Sequence, residues 1–295
     1  MKIAYLILAH NTPKHVQRLV SALSASSSSF FIHVDRKSNL ADFAGIKGDV
    51  EFTAKRVSVF WGDFSQVEAI LVLIRAALAD ERRFDRFVLI SGADYPIRPE
   101  SYIESFFSNN SDKEFINLVQ MPSAAASKPI SRLTRYWLRP STPRPIRAVQ
   151  RLLMIARVLP RNRDYKACFG DLVPYAGSTW WALSRAACEK IVGFVDRETR
   201  VVRFYRNTHC PDESFFQTIL GNSDFRPKIA RNVTYTDWSA GGRSPANLSE
   251  KHVAILRAHP SANDVYGAGE LLFARKFTDE SGDIVARLDR DVLNS

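Results

Sequence analysis

Two adjacent carboxylates, Asp212 and Glu213, are the residues whose types and spacing most suggest chemistry. They open the apolar, helix-like residues 211–218, directly after a polar turn at 207–210. We expect Asp212 to cap the free N–H groups of the first helical turn, and Glu213 to project from that helix as a general base. The same pair is also typical of simple helix capping, so the motif alone leaves both interpretations open.

The elements that position this pair follow from the spacing of apolar residues. The predicted strands are residues 2–9, 29–34, 57–60, 86–90, 115–118, 178–183 and 232–237. The predicted helices are residues 13–25, 65–78 with Ser65 as its cap, 185–195, and one that begins near Glu213. Alternating strands and helices indicate an α/β fold with a mostly parallel central sheet flanked by helices. No linker or internal repeat is visible, which predicts one domain over residues 1–295.

Polar residues follow three of these strands, at 10–11, 35–38 and 91–96. Ligands of parallel sheets bind beyond the carboxyl ends of the strands, so these residues are expected to converge. The sequence has neither a GxGxxG nor a Walker motif, which favours a nucleotide-diphosphate site over a phosphate loop. Asp35 could accept a ribose hydroxyl or a uracil N–H, with Arg36 nearby for phosphate. Asp94 is either part of such a site or a turn former.

Composition indicates a globular protein, because 45% of its 295 residues are hydrophobic. Its three cysteines are an odd number without CxxC spacing, which fits a reducing compartment. The N-terminal apolar run ends at His10 without a cleavage pattern, and no apolar run approaches the length of a membrane span. We therefore expect a cytoplasmic protein.

The net charge of +10 is concentrated in residues 132–163, which we call the Arg-rich segment. It contains nine arginines and no acidic residue, interleaved with aromatic and aliphatic side chains. Such a segment is typical of a surface that meets nucleic acid, an anionic membrane or an anionic glycan, or of a solvated helix. Since no nucleic-acid module is visible, we favour a membrane surface or a lipid-linked acceptor, and expect no nucleic-acid partner.

Eight different short motifs are distributed along nearly the whole chain, and the set is more specific than any one of them. They are ILAH at 7–10, IHVDRKS at 32–38, WG at 61–62, SGADYPIR at 91–98, GSTWWALSR at 177–185, PDE at 211–213, DW at 237–238 and FARKF at 273–277. In this order they resemble the core-2/I-branching β-1,6-N-acetylglucosaminyltransferase family (glycosyltransferase family 14), which includes the peptide O-xylosyltransferases.

The resemblance implies a GT-A type fold, an inverting mechanism and a UDP-sugar donor, UDP-GlcNAc or alternatively UDP-xylose. It assigns the general base to Glu213, and to Arg275 and Lys276 the neutralisation of the UDP diphosphate in place of a metal. It also places Ala9, His10 and Asp35 near the uridine, with Arg36 as a weaker candidate. The one Asp-x-Asp triplet, at 289–291, lies in a charged tail, so neither a metal nor another cofactor is expected.

The acceptor is less defined, because the Arg-rich segment matches no family motif. Trp180, Trp181 and Trp238 are candidates to pack against a sugar ring, with Asp94 as a further candidate and Arg243 in a closing loop. The sequence lacks the anchor, stem and disulfides of the animal enzymes, which suggests a bacterial enzyme at the inner face of the membrane that decorates a polysaccharide or a lipid-linked glycan. The alternatives are a non-catalytic glycan- or anion-binding module, and a metal-dependent transferase of another GT-A family.

Overall fold

The computed structural model describes residues 1–239, 241, 244–258 and 261–293. Its strands are β1 Ile3–Ala9, β2 Ser28–Val34, β3 Val50–Phe52, β4 Arg86–Ser91, β5 Asp94–Pro96, β6 Glu114–Ile116, β7 Val119–Gln120, β8 Tyr175–Ala176, β9 Trp181–Ser184, β10 Ile229–Ala230, β11 Thr234–Thr236, β12 Ser261–Asp264, β13 Gly267–Glu270 and β14 Phe273–Arg275. Its α-helices are α1 Pro13–Ala22, α2 Ser65–Ala79, α3 Glu100–Asn109, α4 Ser131–Thr134, α5 Arg144–Ile155, α6 Lys166–Phe169, α7 Arg185–Arg197, α8 Thr199–Tyr205, α9 Phe215–Gly221, α10 Glu250–Ala258 and α11 Gly282–Leu288.

A seven-stranded sheet in the order β10-β6-β9-β4-β1-β2-β3 organises the molecule. Its strands pair in parallel except β9, which runs antiparallel to both β4 and β6. The prediction of a mostly parallel central sheet flanked by helices is therefore confirmed.

Both faces of this sheet are buried, which explains why its strands read as continuous apolar runs. Along β1, Tyr5 and Ile7 belong to the core cluster that contains Val16 of α1. Leu6, between them, belongs to the second cluster, with Ile70 of α2. Alternate side chains of one strand therefore reach opposite layers of helices.

A smaller sheet, in the order β11-β14-β5, lies next to the site described below. Strand β5 follows β4 after a short turn and pairs antiparallel with β14, so that Asp94 stands opposite Arg275 in the register. The small sheet therefore positions Arg275 beside the turn that follows β4.

The prediction of a strand at residues 57–60 is wrong. The structure forms β3 earlier, and residues 57–60 follow it as an irregular segment. Side chains satisfy its backbone groups: Val57 N donates to the His33 Nε2 atom at 2.9 Å, and Phe60 N donates to the Ser65 hydroxyl at 3.0 Å. With these partners the segment needs no neighbouring strand.

The Ser65 hydroxyl is thus not the helix cap that we expected. The carboxylate of Asp63 instead accepts the Ser65 N–H at 2.8 Å, at the start of α2. The other predicted elements exist with bounds shifted by a few residues; for example, α1 ends at Ala22 and β9 begins at Trp181. None of the helices in the described ranges has the length and apolar composition needed to cross a bilayer.

Candidate active site

The polar residues that follow the first strands meet at one edge of the large sheet. Ala9 pairs with Val34 across β1 and β2, and Leu8 pairs with Ser91 across β1 and β4. His10, Asp35 and the turn before Asp94 therefore emerge side by side at the carboxyl edge, as parallel pairing requires.

At this edge Asp35 is buried and fixed by backbone contacts. Its N–H donates to the Ala9 carbonyl at 2.8 Å, and its Oδ1 atom accepts the Lys37 N–H at 2.9 Å. The exposed Lys37 ammonium lies 3.5 Å from the other carboxylate oxygen. Arg36 projects into solvent, so Lys37 is the cation that the structure brings to Asp35.

Arg56, which the sequence analysis did not single out, shapes the same edge. Its guanidinium donates to the carbonyls of Val34, Asp35 and Ser38 at 2.6 to 2.9 Å. These contacts fix the backbone after β2, and no local sequence signal marks a residue 18 to 22 positions away as the donor.

Next to this edge, Asp94 is fully buried and forms an ion pair with Arg275, whose Nε atom lies 3.3 Å from its Oδ1 atom. The N–H and hydroxyl of Ser91 also donate to Asp94, at 3.1 and 2.5 Å. Burial raises the pKa of Asp94, and the charge of Arg275 opposes that rise. In this position Asp94 contacts the arginine and has no surface open to an acceptor.

Arg275 and Lys276 differ in their surroundings. The Arg275 guanidinium is buried over the Trp180 ring, 4.0 Å from its centroid. Lys276 is partly exposed and donates to the Ser244 hydroxyl. Burial and the neighbouring Arg275 charge lower the pKa of Lys276. Burial also lowers the pKa of His10, a shift that the charge of Asp35 opposes and that of Lys276 reinforces.

Glu213 ends a short 3₁₀ turn, Pro211–Glu213, and does not lie inside the following helix α9. The expectation that Asp212 caps that helix is wrong, because neither element has a side-chain cap. The Asp212 carboxylate instead accepts the Thr179 hydroxyl at 2.7 Å. Burial and the adjacent Glu213 charge raise the pKa of Asp212.

The Glu213 carboxylate has two cationic neighbours. The Lys128 ammonium and the Arg132 guanidinium both donate to its Oε2 atom at 2.5 Å. Burial alone would raise the pKa of Glu213, but these two charges outweigh burial and lower it. Across the part of the chain that the structure describes, the Oε1 atom accepts no hydrogen bond. An ionised carboxylate with one free oxygen is thus presented at a partly exposed position.

One segment, residues 177–181, links Glu213 to the Arg275 pair. The Gly177 N–H donates to the Glu213 carbonyl at 2.8 Å, while the next residues hold Asp212 and pack on Arg275 as described above. Gly177 is required here, because a Cβ atom would lie 1.9 Å from the carbonyl oxygen of Asn117. The Glu213 turn and the Arg275 guanidinium therefore contact the same short stretch of chain.

Aromatic rings lie beside the Glu213 turn. The His209 ring is 4.1 Å from that of Trp137 and 5.7 Å from that of Trp61, which is 58% exposed. The Nε1 atom of Trp137 is buried and has no hydrogen-bond partner among the residues that the structure describes. Of these three residues only Trp61 belongs to one of the eight motifs. The contacts of His209 with Trp61 and Trp137 join residues that are remote in the chain, so local sequence patterns do not reveal them.

Trp181 and Trp238, two aromatic candidates for the acceptor site, differ in their exposure to solvent. Trp181 is 1% exposed and packs against Phe216 in the core, so the structure offers no ring face there to an acceptor. Trp238 is 53% exposed after β11, at the start of the glycine-containing loop. Arg243, the predicted loop residue, lies outside the described residues.

No group of three or more His, Cys, Asp or Glu side chains in the described ranges could hold a metal ion. The Asp-x-Asp triplet begins the final π-helical turn, Asp289–Leu293, where Asp289 accepts the Tyr95 hydroxyl at 2.7 Å. Asp289 therefore forms a structural contact with Tyr95 of β5.

The mostly parallel α/β sheet, with polar and charged residues at its carboxyl edge, agrees with the GT-A type fold that the motif resemblance implies. The family profile described as Branch: Core-2/I-Branching enzyme matches residues 3–258. The chain therefore belongs to the Core-2/I-branching enzyme family, as its motifs predicted.

Curated relatives are similar over most of this chain. Xylosyltransferase 1 of Canis lupus familiaris is 28% identical over 249 residues, which cover 81% of this chain and 24% of the relative. Xylosyltransferase 2 of Homo sapiens is 26% identical over 248 residues, covering 81% of this chain and 27% of the relative. The chain thus spans about a quarter of the length of these relatives.

Among solved structures, the apo form of mouse xyloside xylosyltransferase 1 aligns with a TM-score of 0.38 and 10% sequence identity. That alignment covers 92% of this chain and 97% of the mouse chain.

Proposed function

We propose that this protein is an inverting, metal-independent glycosyltransferase that moves a sugar from a UDP-sugar to a hydroxyl of a glycan or lipid-linked acceptor. One observation carries the proposal. The Glu213 carboxylate has one oxygen paired with two cations and the other without a partner, on the same stretch of chain that packs against Arg275.

In this reaction Glu213 acts as the general base through its Oε1 atom. It takes the proton of the acceptor hydroxyl while that oxygen bonds to the anomeric carbon. The bond between the anomeric carbon and the diphosphate oxygen breaks on the opposite face, and UDP leaves with the electron pair. Lys128 and Arg132 keep Glu213 ionised by lowering its pKa, so the base is ready at neutral pH.

Arg275 and Lys276 neutralise the charge that develops on the departing diphosphate. The partly exposed Lys276 is the cation placed to contact a phosphate oxygen, and the buried Arg275 adds positive charge from behind it. Asp94 acts as a positioning residue, because its ion pair holds the Arg275 side chain against Trp180. With these charges fixed, no divalent metal is needed at the diphosphate.

The donor binds at the carboxyl edge of the sheet, where Asp35 takes a uridine group and Ala9 and His10 line the site. For the sugar we propose GlcNAc or xylose. The family's branching enzymes support GlcNAc, and the printed names of the curated relatives above support xylose.

The acceptor approaches from the side of Trp61, whose exposed ring suits the C–H face of a sugar. Trp238 offers a second exposed ring, on the loop that would close over the site. The Arg-rich segment supports an acceptor that is presented at the inner face of an anionic membrane.

The proposal is tested by measuring hydrolysis of UDP-GlcNAc, UDP-xylose, UDP-GalNAc and UDP-glucose by the purified protein, with and without EDTA. We expect turnover of one donor that survives EDTA. It should fall by about 10² or more in Glu213→Gln, because removing a general base typically costs that much. The matched control is Glu68→Gln, since Glu68 is a surface partner of Arg206 and should leave turnover unchanged.

Calorimetric titration of UDP decides the case in which no donor is hydrolysed. Binding of UDP, followed by transfer to an added glycan acceptor, would support the proposal. Failure to bind UDP would overturn it in favour of a non-catalytic module. Loss of turnover in EDTA that Mg²⁺ or Mn²⁺ restores would overturn the metal-independent mechanism.

A further inference from the structure

The Arg-rich segment projects from the body of the protein next to Glu213, as an excursion whose two ends are hydrogen-bonded to each other. Its two ends pair through the backbone, with Tyr136 N donating to the Arg161 carbonyl at 2.8 Å and Arg163 N donating to the Thr134 carbonyl at 2.7 Å. Arg139 fixes the outgoing irregular segment to the buried Asp63 at 3.2 Å. The excursion therefore has a defined base and presents helix α5 in a fixed direction.

Helix α5 turns its apolar side to solvent. Residues of a helix advance by about 100° each, so positions three apart differ by about 60°, and Val149, Leu152 and Ile155 lie within about a third of the helix circumference. Together with Ile146 near the start of the helix and Val158 just beyond its end, they form a stripe of apolar side chains that are between 51% and 67% exposed. The inward position is taken by Met154, which is buried.

This stripe is unusual within the molecule. Among the described residues, five of the eleven large hydrophobic side chains that are exposed belong to this stripe. A surface helix of a globular protein normally buries its apolar face against the core. A contiguous exposed stripe of this kind indicates a docking surface.

Arginines border the stripe and decide which partner fits. Arg144, Arg151 and Arg157 are exposed on or next to α5, and the whole segment contains no acidic residue. A symmetric contact with a second copy would bring the same arginines together and repel. An anionic bilayer instead offers hydrocarbon to the stripe and phosphate to the arginines.

We propose that helix α5 lies in the surface plane of an anionic lipid bilayer, with its apolar stripe inserted and its arginines at the headgroups. Arg132, at the base of the excursion, contacts Glu213, so membrane docking would place the candidate base on the membrane side of the molecule. This consequence for the acceptor rests on the proposed function, whereas binding to the bilayer does not.

Vesicle co-flotation of the whole protein tests the proposal, with phosphatidylcholine vesicles and with vesicles of equal parts phosphatidylcholine and phosphatidylglycerol. We expect binding to the anionic vesicles that is about tenfold or more stronger than to neutral ones. Salt at 0.5 M should weaken it without abolishing it, because screening leaves the inserted stripe in place.

Two variants separate the contributions of the stripe and of the charges. The double substitution Leu152→Asp with Ile155→Asp should lower binding at least about tenfold at both salt concentrations. Arg144→Gln with Arg151→Gln should lower binding to anionic vesicles toward the neutral level. The matched control is Ile255→Asp, at an exposed apolar position of α10, and it should bind like the wild type.

Equal binding to neutral and anionic vesicles would overturn the proposal, as would unchanged binding of the Leu152→Asp, Ile155→Asp variant. A concentration-dependent dimer that this variant disperses, without vesicle binding, would assign the stripe to a second copy. Urea denaturation of each variant shows that the fold is intact. Because the readout is lipid binding, a failed transferase assay leaves the result interpretable.

Discussion

Two regions of the site each hold one carboxylate beside two cations, yet they differ in exposure. Glu213 contacts Lys128 and Arg132 and is 25% exposed at its side chain. Asp94 contacts Arg275, lies near Lys276, and is fully buried. The same charges can therefore serve opposite purposes. In the first region the carboxylate is partly exposed and its two cations lower its pKa, whereas in the second the carboxylate is enclosed and forms an ion pair with Arg275.

Burial is the physical variable that separates the two regions. A carboxylate without solvent must keep its partner, because an unpaired buried charge is costly. A partly exposed carboxylate can exchange a partner for a substrate hydroxyl at small cost. The difference predicts which substitutions harm folding and which harm catalysis.

Asp94→Asn should produce the largest effect, on stability. Removing one charge of a buried pair leaves the other uncompensated, and the expected loss is about 3–5 kcal/mol in the free energy of unfolding. Urea denaturation measures it, with Asp196→Asn as the control. Asp196 is the exposed partner of Arg75, and its loss should cost about 1 kcal/mol or less. Equal losses in the two variants would remove the distinction between the regions.

Lys276→Met should reduce kcat by about tenfold to a hundredfold, because in the proposed mechanism this charge stabilises the leaving diphosphate. The free energy of unfolding should change little, since Lys276 is only partly buried. Turnover of the preferred UDP-sugar and urea denaturation together test this. Lys190→Met, at an exposed position of α7, is the control. A stability loss as large as that of Asp94→Asn would mean that Lys276 belongs to the buried pair.

Lys128→Gln should have the smallest effect and should appear in the pH profile. In the proposed mechanism Glu213 acts only when deprotonated, so kcat/KM should fall as pH falls through the pKa of Glu213. Lys128 lowers that pKa, and its removal should move the acid limb upward, by about one pH unit. Rates measured between pH 4 and 7 show the limb. A shift to lower pH, or none, would contradict the tuning role.

The sequence was sufficient to predict the sheet and its edge, because these follow from local patterns. Apolar runs such as β1 and β2 are buried on both faces, and polar residues at their ends mark the carboxyl edge. The partners of Glu213 were not predictable in this way. Lys128 and Arg132 lie 85 and 81 residues away in the chain, and each is an ordinary basic residue in sequence.

Two of the failed predictions share a cause: a distant side chain satisfied a group that local rules assign to a neighbour. The hydroxyl of Thr179, 33 residues upstream, bonds to Asp212, which was expected to cap its own helix. The His33 ring, 24 residues upstream, accepts the Val57 N–H that a strand would have paired. Tertiary contacts of this kind leave no trace in periodicity.

The reversed direction of β9 has a consequence for how the chain tolerates added length. Because β9 is antiparallel to its neighbours, the residues before it reach the carboxyl edge, and the start of α7, directly after Ser184, lies at the opposite edge. Extra residues inserted after Ser184 would disturb the start of α7, where the Ser184 hydroxyl accepts the Ala187 N–H, away from the site. The same insertion between Gly177 and Trp181 would change the spacing between Glu213 and Arg275, so this segment sets the register of the site.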